Sequence, residues 1–213
     1  MKRLFLIITI HNMLVMELFS QSSFIGSRFD FTPGIEYDQS VQSPKDYLGY
    51  ELGSEYTLYA DVLSYLRAIS SQSNRVSIYS YGKTHEGRPL EYLVITGKKN
   101  LSKLEDLRQN NLRLADPRGI SATNASKIIK ENPGIYWLSY NVHGNEASST
   151  EAVMQVAYRL AAANDLETKN ILDNSVVILF PCLNPDGRDR YVYWYKSAQS
   201  NILNTDQYDY EHD

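Results

Sequence analysis

Two short apolar runs with an amphipathic segment between them do most to limit what this chain can fold into. Gly134-Ile-Tyr-Trp-Leu-Ser-Tyr140 and Val176-Val-Ile-Leu-Phe180 carry no charge and read as strands buried on both faces. Between them, Thr150 to Ala163 puts Val153, Val156, Ala157, Leu160 and Ala161 on one helical face, in residues of good helix propensity. Strand, helix and strand in this order make a crossover unit, which sets its two strands parallel in one sheet. The expected class is α/β, a mixed, largely parallel sheet with helices on both faces.

The remaining elements fit that class. Leu58, Val62, Leu63, Leu66 and Ile69 predict an amphipathic helix over Tyr56 to Ile69. Val76 to Tyr81 and Glu91 to Thr96 read as a β-hairpin with a long loop through His85-Glu86-Gly87-Arg88-Pro89. Leu101 to Leu112 and Ala122 to Lys130 read as helices, divided by the breaker Asp116-Pro117-Arg118-Gly119.

Residues 1–21 differ in kind. Lys2 and Arg3 precede the apolar run Leu4 to Ile10, and small polar residues follow at Ser20 and Gln21, the pattern of a secretory signal peptide. The run is too short for a membrane span, which takes about 20 apolar residues, so no stable span is expected. Secretion or export to a periplasm fits a chain whose single cysteine, Cys182, can form no internal disulfide. Residues 22–55 are polar, rich in tyrosine and without sustained periodicity, and are read as an irregular arm before the domain proper at 56–213. With 21 basic against 25 acidic side chains and a net charge of −4, no nucleic-acid partner is expected.

In open α/β sheets ligands bind beyond the carboxyl ends of the strands. Two loops lie there: Asn141-Val142-His143-Gly144-Asn145-Glu146, and Pro181-Cys182-Leu183-Asn184-Pro185-Asp186-Gly187. His143 and Glu146 could converge on one metal ion, an imidazole nitrogen and a carboxylate oxygen both being suitable zinc donors, with Gly144 freeing the backbone between them. Equally, His143 could be an ordinary polar residue and Glu146 a carboxylate complementing a helix N-terminus. Asn184-Pro185-Asp186-Gly187 taken alone is a turn signal, and Cys182 reads as a small buried residue.

Taken in order, Tyr81-Gly82-Lys83-Thr84-His85-Glu86-Gly87-Arg88-Pro89-Leu90, His143-Gly144-Asn145-Glu146, and Asn184-Pro185-Asp186-Gly187, which begins 184 − 146 = 38 residues past Glu146, resemble the zinc carboxypeptidase family of carboxypeptidase A type. The resemblance covers roughly residues 50 to 196 and matches the amino-terminal half of the family's catalytic domain. It implies a single zinc ion, with His143 and Glu146 as two of its ligands, and a metal-activated water that hydrolyses a peptide or protein substrate at or near its C-terminus. It implies an arginine at the developing oxyanion, for which Arg188 and Arg190 are the candidates; Lys196 is a poorer one, lacking a planar fork.

The family's third ligand is a later histidine. Only His212 follows the motif, in a polar run that reads as surface, and His85 reads as a solvent-facing turn residue. By the same resemblance the general-base glutamate falls after residue 213, so the chain is expected to be an inactive, truncated carboxypeptidase domain. Alternatives are a same-fold zinc amidohydrolase or murein peptide carboxypeptidase, and a non-catalytic peptide- or glycan-binding module. The sequence does not set an oligomeric state.

Overall fold

A computed structural model of the chain describes residues 34–202, with side chains described to 198. The signal peptide read at 1–21 and His212 lie outside the described residues. Contacts divide the chain into Met1–Ile35 and Glu36–Asp213, and the sheet and its helices all belong to the second unit.

Four strands form one mixed sheet in the order β1-β2-β4-β3: β1 Val76–Lys83, β2 Pro89–Thr96, β3 Gly134–Ser139 and β4 Ser175–Phe180. β2 runs against both β1 and β4, while β3 and β4 are parallel. Three strands therefore share a direction, and the crossover joins β3 to β4 as its pattern predicts. The hairpin joining β1 and β2 turns within Thr84–Arg88, tighter than the long loop expected.

Eight helices accompany the sheet among the described residues: α1 Pro44–Leu48, α2 Tyr59–Gln72, α3 Lys98–Leu101, α4 Leu104–Ala115, α5 Ala122–Glu131, α6 Ala147–Ala162, α7 Leu166–Asn174 and α8 Pro185–Ile202, with a single 3₁₀ turn at Pro117–Gly119. On one sheet face, Val62, Leu66 and Ile69 of α2 and Val153, Met154 and Ala157 of α6 pack on Val76, Leu93, Ile95, Val177 and Leu179. Each Val, Leu, Ile or Met side chain among them, once buried, contributes about 1.5–3 kcal/mol of transfer free energy. On the other face Leu104 and Leu107 of α4 cover Val94, Val176 and Ile178.

Three expectations need correction. β3 is not buried on both faces: it lies at the edge of the described sheet, with Trp137 65% and Tyr136 59% exposed. An apolar run reports that a strand meets apolar neighbours, not how many of its faces are covered. Second, the arm is not wholly irregular. Ser43 caps the short helix α1, accepting from the Asp46 N–H, Val41 is buried in the main core, and Tyr37 stacks on Tyr158 at 4.7 Å. Third, Asn184-Pro185-Asp186-Gly187 does not make a free turn but opens α8. Proline at the first helical position loses no hydrogen bond, and Asn184 Oδ1 accepts from the Gly187 N–H at 3.0 Å, as an N-cap does.

Candidate functional site

The two loops emerge side by side because β3 and β4 are parallel, and backbone bonds continue the pairing past the strands. Tyr140 N–H donates to Phe180 O at 3.1 Å, Leu183 N–H to Tyr140 O at 2.9 Å, and Asn184 N–H to Asn141 O at 3.1 Å. A β-carbon on Gly144 would lie 2.2 Å from both the carbonyl carbon and oxygen of Gly187. Glycine at 144 therefore permits the contact that presses the first loop against the start of α8.

His143 and Glu146 project from this arrangement. Both are exposed, and among the described residues neither side chain has a hydrogen-bonding or ionic partner. Their backbones, by contrast, are held. Glu146 N–H donates to His143 O at 3.1 Å, and Glu146 is the residue from which α6 begins.

Below the loop lies Asn141, buried, with φ 52°, a backbone region asparagine tolerates better than most residues. Its Nδ2 donates to His143 O at 2.6 Å and to Glu146 O at 3.4 Å. Its Oδ1 accepts from Thr150 Oγ1 at 2.8 Å and from Cys182 Sγ at 3.2 Å. Burial pushes the Cys182 thiol up to about 12, so it remains a protonated donor and is no nucleophile. That bears out Cys182 as a small buried residue.

Arg188 departs from its expected role. It is fully buried on α8, where its guanidinium donates to Ala147 O at 2.6 Å, to Thr57 O at 3.2 and 3.0 Å, and to Glu151 Oε1 at 2.5 Å. Glu151 in turn accepts from the Thr57 N–H at 2.7 Å and Oγ1 at 2.8 Å. With its donors turned inward, Arg188 cannot reach a substrate oxyanion. The expectation failed because a loop was assumed where a helix turns this side chain into the core.

Arg190 is 74% exposed and pairs with Glu86. It belongs to an ionic cluster joining the hairpin turn to α8. Arg88 donates to Asp189 at 2.8 Å, Asp186 at 2.7 Å and Glu86 at 2.5 Å, and Asp189 accepts from the Tyr59 N–H at 2.9 Å, capping α2 from outside. Bonds from Arg88 first, then Arg190, hold the Glu86 carboxyl below its usual range. Lys196 sits farther along α8, 3.7 Å from Glu55. His85 is exposed in the hairpin turn, as expected.

A catalytic zinc centre takes three protein donors and leaves a position open. The donor chemistry of His143 and Glu146 fits two of the three, and both are unengaged. Among the described residues no group of three histidine, cysteine, aspartate or glutamate side chains could close on an ion. Sequence reasoning passed over Asn141 and Glu151. Asn141 offered only its place at a strand end; Glu151 offered a carboxylate on the apolar stripe of α6, four residues after Ala147 and three before Met154.

A family profile described as zinc carboxypeptidase matches residues 62–209, which is 148 of 213 residues. The chain belongs to the zinc carboxypeptidase family, a zinc-dependent group of hydrolases. Similar solved structures include thrombin-activatable fibrinolysis inhibitor (16% identity, TM-score 0.45, 70% of this chain and 29% of that one). Carboxypeptidase A of Helicoverpa armigera is 22% identical with a TM-score of 0.44, over 64% of this chain and 28% of its own. A metallo-carboxypeptidase of Burkholderia cenocepacia is 19% identical with a TM-score of 0.45, over 64% and 29%. The chain thus spans under a third of the length of these relatives. No helix among the described residues is long and apolar enough to cross a membrane.

Proposed function

We propose that the chain provides the first two zinc donors, His143 and Glu146, of a metallocarboxypeptidase that hydrolyses peptide bonds at or near a C-terminus. The observation that carries this is the contrast at the loop: backbones fixed by Asn141 and by the Gly144–Gly187 contact, side chains left exposed and unpartnered. Membership of a zinc-dependent family supports zinc as the metal. A zinc ion held by this pair would supply Lewis-acid polarisation of a scissile carbonyl and lower the pKa of an attacking water. The residues' own part is to present one nitrogen and one carboxylate from a rigid base; Arg190, exposed beside the start of α8, remains the candidate for a substrate contact. The leader-like composition of residues 1–21 supports secretion or export as the setting.

Zinc titration of the metal-free chain against a chromophoric chelator tests the ligands. Binding at one weak site is expected, and His143→Ala and Glu146→Ala should each weaken it by at least roughly tenfold, since even loss of an outer-shell partner has that effect. Zinc affinity unchanged in both variants would overturn the assignment. Because no third donor stands among the described residues, the 213-residue chain should release no C-terminal residue from peptides when zinc is added. Turnover that Glu146→Ala abolishes would overturn that limit.

A further inference from the structure

We infer that Asn141 is a positioning residue that shapes the His143–Glu146 loop before any metal arrives, an inference that rests on reading those two side chains as ligands. The geometry is specific to an asparagine carboxamide. Nδ2 has two N–H groups and meets two carbonyls, those of His143 and Glu146. Oδ1 has two lone pairs and meets two donors, Thr150 Oγ1 and Cys182 Sγ. The main chain of Asn141 is used as well: its N–H donates to Ser149 Oγ at 2.9 Å and its carbonyl accepts from Asn184. One buried residue thus joins the end of β3, the ligand loop, the first turn of α6 and the loop leading into α8.

Both carbonyls it holds belong to the proposed ligands. Fixing the backbone at those two points limits where the imidazole and carboxylate can go while leaving both side chains free. An aspartate here would present a carboxylate oxygen to two carbonyl oxygens, replacing attraction by repulsion. Glycine would keep the φ of 52° at no steric cost but supply no carboxamide. Binding to a loop ordered in advance avoids the entropy of ordering it at the moment of binding.

The test uses the full chain as Asn141→Gly and Asn141→Asp, with Thr150→Val as a milder variant that deletes one bond to Oδ1 and leaves the backbone of 141 untouched. Amide hydrogen exchange of the metal-free chain should quicken by roughly tenfold or more at residues 142–146, while β4 and the body of α6 keep wild-type rates. A purely structural role would instead raise exchange across β4 and α6 in step with lost global stability. Zinc affinity should fall about 10- to 100-fold in the Gly and Asp variants, the range for a supporting partner of metal ligands. Folded variants with wild-type exchange at 142–146, or with wild-type zinc affinity, overturn the inference. If His143→Ala and Glu146→Ala leave zinc binding unchanged, the ligand reading fails on its own, and the exchange measurement still decides what Asn141 does.

Discussion

A methyl group on Gly144 would sit inside the backbone of Gly187, 2.2 Å from its carbonyl carbon and oxygen. No side-chain rotation relieves that overlap, because the atoms in the way belong to the first turn of α8. The loop or the helix must therefore move. Ordinary overpacking costs about 1–3 kcal/mol, and Gly144→Ala should reach or exceed the upper end of that range in urea unfolding. Its effect should also extend to the ligands: zinc affinity is expected to fall together with stability. A Gly144→Ala chain as stable as the wild type would mean the two loops do not press together. The sequence offered a flexible hinge for a convergent metal pair as the reason for this glycine. The structure shows closeness instead, a property that depends on residues 43 positions apart and leaves no local trace.

At the level of elements, the buried pair Arg188–Glu151 ties three helices together. Arg188 is on α8 and Glu151 on α6, and Thr57, just ahead of α2, gives both its N–H and its carbonyl to the pair. Arg188 also stands 5.5 Å from the ring centre of Tyr56, adding a cation–π contact. Removing one member of such a pair strands a charge and orphans carbonyls, at a cost of about 3–5 kcal/mol. Arg188→Met should destabilise by that amount in denaturant melts. The double variant Arg188→Met/Glu151→Leu should lose less than the sum of the single losses. Strict additivity would show that the two charges do not act as a unit. The helices and strands themselves were largely legible: α2 and α6 follow from their apolar stripes, β4 from its unbroken run, and the β3–β4 pairing from the crossover rule. What escaped were the short helices α1 and α3, then α7, whose apolar positions are few, and α8, whose opening Asn-Pro-Asp-Gly is also good turn chemistry. Arg188 was misread in consequence, since a cation after a supposed turn is by default a solvated one.

On the scale of the whole molecule, the sheet is covered unevenly. Tyr79 and Tyr81 of β1, Tyr92 of β2, Phe180 of β4 and Trp137 of β3 form a contiguous run of rings across all four strands. Tyr92 stacks on Phe180 at 5.3 Å, and Trp137 stacks on Phe180 from the other side at 5.3 Å. The cluster under α4 takes in Val94, Val176 and Ile178, while Tyr79, Tyr81 and Trp137 stay 41%, 43% and 65% exposed. Beside them, the outer edge of β3 has no partner strand among the described residues. A wide apolar face drives association, and an open, uncharged strand edge gives it a template for backbone pairing. A net charge of −4 provides only weak, salt-screened repulsion against it. The 213-residue chain should therefore self-associate at roughly micromolar to millimolar concentrations, where exposed apolar surface and open edges become consequential. Sedimentation velocity should show a weight-average mass that rises with concentration and rises further with added salt. Trp137→Lys places a charge on the open edge, the device by which natural sheets block such pairing, and should restore a monomer while the far-ultraviolet circular dichroism stays unchanged. A wild-type chain that remains monomeric throughout that range would show that the aromatic face and the strand edge do not drive association.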